Sequence, residues 1–446
     1  MAPASLDLPE ASFSTIALHA DDPRDHGRGS VPVAPDLQLS TTYRTPHPDS
    51  EAGQRLRELG EEGLDWEDPV AHIYSRYTSE TRARAEKVLS GIMAGHALTY
   101  ASGLAAAYAA VLHYAPAVIA IRKGYHGVHS SIDVFLRTHP NTRLIDIDDE
   151  YPADLQPSSL TTGTGTDTGR SASGGLLVWL ETPLNPTGEA RDIAHYAQRA
   201  HAAGAGAHLV VDSTFAPLQR ALDHGADMAM HSGTKYFGGH SDLLVGVLAV
   251  REKAAWVSLW HDRTYVGATP GNLESWLLLR SLRTLEVRWQ RQSATATKLA
   301  AWLRSLAVST TPPTELSTAD EDRALLESRI VERVWHASLQ PRRDKDPSAT
   351  PREVEGGPDF DPSEQLRHGW PACFAFRLSK PAIAYKLPHE TKYFASATSL
   401  GGVESLLEYR RASDPTEDPA LIRLSIGLES FEDLQADLRA AMKKFI

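Results

Sequence analysis
Lys235 stands in the run His231-Ser232-Gly233-Thr234-Lys235-Tyr236-Phe237-Gly238-Gly239-His240, between small hydroxyl residues and a glycine-rich turn. A lysine so placed can hold an aldehyde cofactor as a Schiff base while the neighbouring hydroxyls grip its phosphate. The same run also suits a solvated lysine in a polar loop, so the rest of the chain has to decide. Val210-Val211-Asp212-Ser213-Thr214 sets a carboxylate at the C-terminal end of an apolar strand, where open α/β sheets place their ligands. Glu181-Thr182-Pro183-Leu184-Asn185-Pro186 brings an amide to a similar position. Ser102-Gly103-Leu104 follows the apolar Leu98–Tyr100 and opens an alanine-rich helix, whose free N–H groups and dipole favour an anion. An ordinary serine N-cap fits that stretch as well. Leu421-Ile422-Arg423-Leu424-Ser425 encloses an arginine in an apolar strand, and a buried guanidinium needs a carboxylate partner, either from the protein or from a substrate.

The elements that must position these groups alternate along the chain. From about Tyr74 to Val250, short apolar strands (Leu98–Tyr100, Ala117–Ile121, Leu176–Leu180, His208–Val211, Val245–Val250) are separated by helical stretches. Strands that are nearly continuous in apolar residues are buried on both faces, which indicates a largely parallel α/β sheet. Residues 1–65 read as an N-terminal arm, with Leu39–Tyr43 extended and a short surface helix within the charged run from Glu51 to Asp68. The spacing of Trp276, Leu279, Leu282 and Leu285 predicts one long helix over 272–306 leading out of the sheet. This divides the chain into an arm (1–65), a large domain (66–285) and a C-terminal domain (286–446) that ends in strands and an amphipathic helix. Two stretches, 161–175 and 341–366, are too polar and too rich in Gly or Pro to cover a core and read as surface loops.

At 446 residues the chain can bury a sizeable core, and its net charge of −12 argues against a nucleic-acid or anionic-membrane surface. Its one cysteine, Cys373, cannot form an intrachain disulfide and lies in an apolar stretch suited to the core. The first residues are acidic, with no basic-then-apolar run, and the longest apolar region, Ala105 to Ile121, is interrupted by His113 and Pro116. The cytoplasm is the expected location.

With these residues in place, the chain resembles the Cys/Met-metabolism family of pyridoxal-phosphate enzymes, the trans-sulfuration group of cystathionine γ-synthases, γ-lyases and β-lyases. Ser40-Thr41-Thr42-Tyr43, Tyr74-Ser75-Arg76, Ser102-Gly103, Glu181 to Pro186, Asp212-Ser213-Thr214-Phe215, the lysine run and Ser399-Leu400-Gly401-Gly402 occur in family order, and Arg423 to Glu429 also fits. The resemblance implies a fold-type-I, aminotransferase-like large domain with a smaller C-terminal α/β domain. It also implies pyridoxal 5′-phosphate as cofactor, amino-acid substrates and a homotetramer whose active sites are shared between subunits.

The resemblance assigns roles residue by residue. Lys235 would carry the cofactor and then shuttle protons, which requires a pKa lowered by roughly three units. Asp212 would pair with the pyridine nitrogen, Tyr125 would stack on the ring and assist the leaving group, and Asn185 would bond the phenolic oxygen. Ser102, Gly103, Leu104, Ser232 and Thr234 surround the expected phosphate position, with Tyr74 and Arg76 reaching the phosphate of a neighbouring subunit. Arg423, helped by Ser399, would clamp the substrate α-carboxylate.

The stretch Ser399 to Ser405, with Glu404 as a further substrate-site candidate, resembles members that work at the γ-carbon. γ-Replacement on an O-acylated homoserine is therefore expected first and γ-elimination beside it. The alternatives are cystathionine β-lyase activity, a nucleophile other than cysteine or, more remotely, a non-catalytic binding protein on the same fold. Several positions depart from the family pattern. Ile73 and Ser130 stand where some relatives carry charged residues for the distal end of the substrate, and His126 and His129 flank Tyr125. Arg333-Val334-Trp335-His336 and the 341–366 stretch replace the usual sequence after the long helix.

Overall fold
The computed structural model describes residues 11–21, 33–60, 65–153, 174–307, 320–340 and 360–446. Residues 161–173 and 341–359, the greater part of the two expected surface loops, lie outside this set.

A seven-stranded sheet is built from β1 (His96–Tyr100), β2 (Val118–Ile121), β3 (Arg143–Ile145), β4 (Leu176–Glu181), β5 (Ala207–Asp212), β6 (Met228–Ser232) and β7 (Gly246–Val250). Its order is β1-β7-β6-β5-β4-β2-β3. The run from β6 to β3 is parallel, while β7 lies antiparallel to both β6 and β1. Along β4 the side chains alternate between two cores. Leu176, Val178 and Leu180 join one and Leu177 and Trp179 the other, so each of these five positions needs an apolar residue. The sequence pattern missed β3 and β6. In β3, Arg143 and Leu144 are exposed at the sheet edge, and β6 interrupts its apolar run with His231 and Ser232.

A second sheet, wholly antiparallel and ordered β10-β11-β9-β8, comprises β8 (Val331–Trp335), β9 (Cys373–Leu378), β10 (Leu406–Tyr409) and β11 (Leu421–Ser425). Phe374, Phe376 and Leu424 of this sheet share an apolar cluster with Val178 and Val211 of the large sheet and with Leu299 and Leu303 of the helix between them. Cys373 is buried. No helix among the described residues is long and apolar enough to cross a membrane.

Residues 272–306 form two helices, Asn272–Leu282 and Leu285–Leu306, not the single helix that the apolar spacing predicts. The helix is interrupted at Thr284 (φ −117°, ψ 11°), where the Ser281 carbonyl accepts from the Thr284 amide at 3.2 Å and from Arg288 at 3.0 Å. Arg288 also donates to the Tyr236 carbonyl at 2.9 Å, which ties the interruption to the lysine segment. The N-terminal region holds two short helices, Phe13–His19, which the sequence pattern missed, and Glu51–Leu59, and Thr42 forms a β-bridge to Tyr74. The segment after Tyr74 is held by Arg82, which donates to the carbonyls of Ser75 (2.7 Å) and Tyr77 (2.9 Å). The carboxylate of Glu86 lies between the buried guanidiniums of Arg82 and Arg263 and also accepts the Thr99 amide at 2.9 Å.

Candidate active site
The C-terminal ends of β4, β5 and β6 bring most of the expected residues together with the loop before β10. Lys235 follows β6 in a tight turn, its amide donating to the Ser232 carbonyl at 3.1 Å. Its Nζ donates to Ser399 Oγ at 3.0 Å. Burial pushes the Lys235 ammonium down to about 8, and the nearby Arg423 guanidinium pushes in the same direction. Ser399 adopts φ +94°, a conformation that costs a non-glycine residue energy and is held here by contacts on both sides. Its hydroxyl meets Lys235 and its carbonyl accepts from Arg423 Nη2 at 2.9 Å.

Asp212 ends β5. Its Oδ1 accepts the Thr214 amide (3.0 Å) and hydroxyl (2.6 Å), while among the described residues Oδ2 makes no hydrogen bond. Thr214 Oγ1 in turn accepts the Ser232 amide at 2.8 Å, a link between the carboxylate and the lysine turn that the sequence reading did not single out. Burial raises the Asp212 carboxyl above its ordinary range, opposed by the two Thr214 hydrogen bonds. His231, one residue before Ser232, is a neutral core residue, driven down to about 3 by burial and packed on Phe237.

Ser102 caps the Gly103–Tyr114 helix, its Oγ accepting the Ala105 amide at 3.1 Å, which leaves the amides of Gly103 and Leu104 without helical acceptors. A Cβ on Gly103 would lie 2.8 Å from Ser232 Oγ, so the glycine is what allows the helix start to meet that hydroxyl. Among the described residues the Ser232 hydroxyl has no hydrogen-bond partner. Thr234 Oγ1 accepts the Val245 amide at 3.0 Å and lies 3.3 Å from the Val245 carbonyl, so its proton can turn from that long contact toward an anion. Tyr125 caps the His126–Leu136 helix, 39% exposed, with its ring and the Leu104 side chain packed about Gly127.

Arg423 is 4% exposed and donates through Nη1 to Asn185 Oδ1 at 3.0 Å. The carboxylate that its burial demanded is Glu408, paired across β10 and β11, with Oε2 at 2.5 Å from Nη2. Glu408 is shared with Arg410, also buried, which reaches Glu417 at 3.8 Å. The sequence reading passed over Glu408 and Arg410; the signal was a carboxylate directly following two leucines of a strand, readable only once the strand pairing is known. Beside them Asp414 lies 3.8 Å from His126, so the segment after β10 borders the loop that carries Tyr125.

Other expected residues lie outside this cluster. Tyr74 and Arg76 are joined to it by no hydrogen bond or ion pair among the described residues; Arg76 packs over the rings of Tyr74 and Tyr77 instead. Glu404 is exposed, with no hydrogen bond or ion pair among the described residues, and it is Ser405 that is engaged, held by Glu429 at 2.7 and 2.9 Å. His129, in the first turn of the His126–Leu136 helix, donates to the Lys123 carbonyl at 2.8 Å. Ser130 lines an apolar groove of about 440 Å³ with Tyr108, Leu112, Val134 and Val266.

The donor set fits a phosphorylated pyridoxal. A free hydroxyl and two amides without helical acceptors meet at the helix start, a carboxylate oxygen is open at the end of β5, and Lys235, its pKa lowered by burial, sits in the turn that follows Ser232.

The comparisons agree. The family model described as Cys/Met metabolism PLP-dependent enzyme matches residues 14–311 and 353–443. Curated relatives include a cystathionine γ-lyase from Dictyostelium discoideum, 31% identical with 97% of this chain and 98% of that protein covered. A cystathionine γ-lyase from Saccharomyces cerevisiae is 29% identical over 97% of both chains. A cystathionine β-lyase from Lactococcus lactis subsp. cremoris is 27% identical over 97% of this chain and 99% of that protein. Among solved structures, a methionine γ-lyase from Micromonospora echinospora superimposes with TM-score 0.70 at 29% identity, covering 97% of this chain and 99% of that one.

Proposed function
Because the chain belongs to the Cys/Met-metabolism family of pyridoxal-phosphate-dependent trans-sulfuration enzymes, we propose that it works at the γ-carbon of a sulfur amino acid, eliminating the thiol of a cystathionine-like substrate. The sequence motif alone put γ-replacement first. The relatives of matching length are named as lyases, which moves elimination ahead of it.

The observation that carries the reading is the contact of Lys235 Nζ with Ser399 Oγ, beside an arginine whose fork is already held at the same serine. In this proposal Lys235 holds the cofactor, Asp212 Oδ2 faces its pyridine nitrogen, and Gly103, Leu104, Ser232 and Thr234 hold its phosphate. The cofactor, when bound, supplies an electron sink for negative charge at the substrate Cα. Arg423 receives the α-carboxylate bidentately, and Ser399 and Asn185 fix the plane of its guanidinium. Lys235 Nζ takes the proton from Cα and moves protons between neighbouring carbons, which its pKa near 8 permits at neutral to mildly alkaline pH. The Tyr125 hydroxyl protonates the departing sulfur. Tyr74 and Arg76 serve the phosphate of a neighbouring subunit, so the active unit is at least a dimer.

A second reading, γ-replacement, rests on the Ser399 to Ser405 motif. Purified enzyme incubated with L-cystathionine separates the outcomes by product mass. With water, γ-elimination yields cysteine, 2-oxobutanoate and ammonia, and β-elimination yields homocysteine, pyruvate and ammonia. A parallel incubation with O-acylhomoserine and cysteine tests replacement, whose product is cystathionine. Pyruvate with homocysteine would overturn the proposal.

A further inference from the structure
Glu181, the last residue of β4, has both carboxylate oxygens engaged by the backbone of the cofactor site. Its Oε2 accepts the Tyr125 amide at 2.7 Å and its Oε1 accepts the Asn185 amide at 2.7 Å. These amides belong to different loops, one after β2 and one after β4 itself. Both side chains are assigned to the cofactor ring, Tyr125 to its face and Asn185 to its phenolic oxygen. Asn185 Oδ1 then accepts from Arg423, so the chain of contacts continues from Glu181 to the carboxylate clamp. The approach requires Gly124, which sits at φ +92°, and a Cβ there would lie against the Glu181 carboxylate.

We infer that Glu181 is a positioning residue that sets the spacing between the ring-stacking tyrosine and the asparagine of the cofactor site. A carboxyl group suits this task because its two oxygens are a fixed distance apart and each accepts one amide, so neither loop can drift without losing a hydrogen bond. Glu181 pairs in register with Asp212 on the adjacent strand. Burial, and then the Asp212 charge, raise its carboxyl above the ordinary range, so the protein places a second acid beside the pyridine-facing one at an electrostatic cost. A side chain needed only to fill space would have no reason to be ionisable there. Glu181 is the carboxylate that accepts both the Tyr125 and the Asn185 amides.

The inference rests on the roles proposed for Tyr125 and Asn185, and its test uses no substrate, so it can fail while the γ-elimination reading stands, or the reverse. Holoenzyme carrying Glu181→Gln keeps the size of the side chain and one acceptor; Glu181→Asp keeps the carboxyl group and retracts it. Amide hydrogen exchange of peptides covering 123–127 and 184–188 is expected to quicken at least tenfold in both variants, with peptides from 176–180 unchanged. The visible circular dichroism of the bound cofactor is expected to fall, and its dissociation constant to rise about tenfold or more. If one variant fails to fold, the other carries the same readouts. Unchanged exchange in both loops, with wild-type dichroism and cofactor affinity, would overturn the inference. Uniformly faster exchange across the whole chain would also overturn it, because it would make Glu181 a general stability residue.

Discussion
Arg423→Lys is the substitution whose effect follows most directly from the geometry. The guanidinium is almost fully buried and held on one side by Asn185 Oδ1 (3.0 Å), the Ser399 carbonyl (2.9 Å) and Glu408 Oε2 (2.5 Å). Removing the cation altogether would strand Glu408 in the interior, at about 3–5 kcal/mol, and would confuse folding with binding. A lysine keeps the charge beside Glu408 and presents a single nitrogen where the arginine offers a fork. The expected loss is one charge-assisted hydrogen bond to the substrate α-carboxylate, about 1.5–3 kcal/mol. At about 1.4 kcal/mol per decade, kcat/KM should fall roughly 10- to 150-fold. Steady-state kinetics with the preferred amino acid give the loss, and the same measurement with the corresponding amine, lacking the carboxylate, gives the control. The amine should react equally slowly with both enzymes. A variant within twofold of wild type, or one that loses as much toward the amine as toward the amino acid, would refute the carboxylate role.

Other perturbations bear on separate parts of the molecule. Only a neutral amine attacks an aldehyde, so cofactor uptake by the apo-protein, followed by stopped-flow absorbance, should speed about tenfold per pH unit up to a plateau near the Lys235 pKa of about 8. Here burial lowers the folded-state pKa, so the neutral form gains as pH rises through 8; a midpoint near the ordinary lysine value of 10.5 would contradict the burial argument. If Tyr74 and Arg76 serve a neighbouring subunit, Lys235→Ala and Arg76→Ala, each inactive alone, should recover about a quarter of wild-type activity when unfolded and refolded together, through mixed dimers with one intact site. No recovery would place those residues outside a shared site. Glu86→Ala leaves the buried Arg82 and Arg263 without their carboxylate and should cost about 3–5 kcal/mol in urea unfolding; a change below 1 kcal/mol would show that the network carries little stability.

The parts of this protein that were legible in the sequence are those in which local chemistry and pattern coincide. Strands β1, β2, β4, β5 and β7 are largely apolar because both faces are covered, and Lys235, Asp212 and Ser102 each follow or end a strand where a polar turn begins. β3 was illegible because it is a short, exposed edge strand, and the interruption at Thr284 because the apolar spacing runs through it unbroken while Arg288 ties it to the distant Tyr236 carbonyl. The partner of Arg423 could be demanded from burial but not identified, since Glu408 becomes its neighbour only through the pairing of β10 with β11. Glu181 stood within a recognised motif, yet nothing in its spacing says that it accepts an amide from residue 125. Glu404, taken from motif position, lies exposed while Ser405 beside it is buried, a distinction set by how the loop packs on Glu429.

The central claim is that the buried ε-amine of Lys235 binds pyridoxal 5′-phosphate covalently. Borohydride reduction of the cofactor-loaded protein, then digestion and mass spectrometry, tests it at the atom concerned. The account predicts a reduced phosphopyridoxyl group on the peptide containing Lys235 and on no other, and none in Lys235→Ala. A modified lysine elsewhere, or no modification at all, would contradict it.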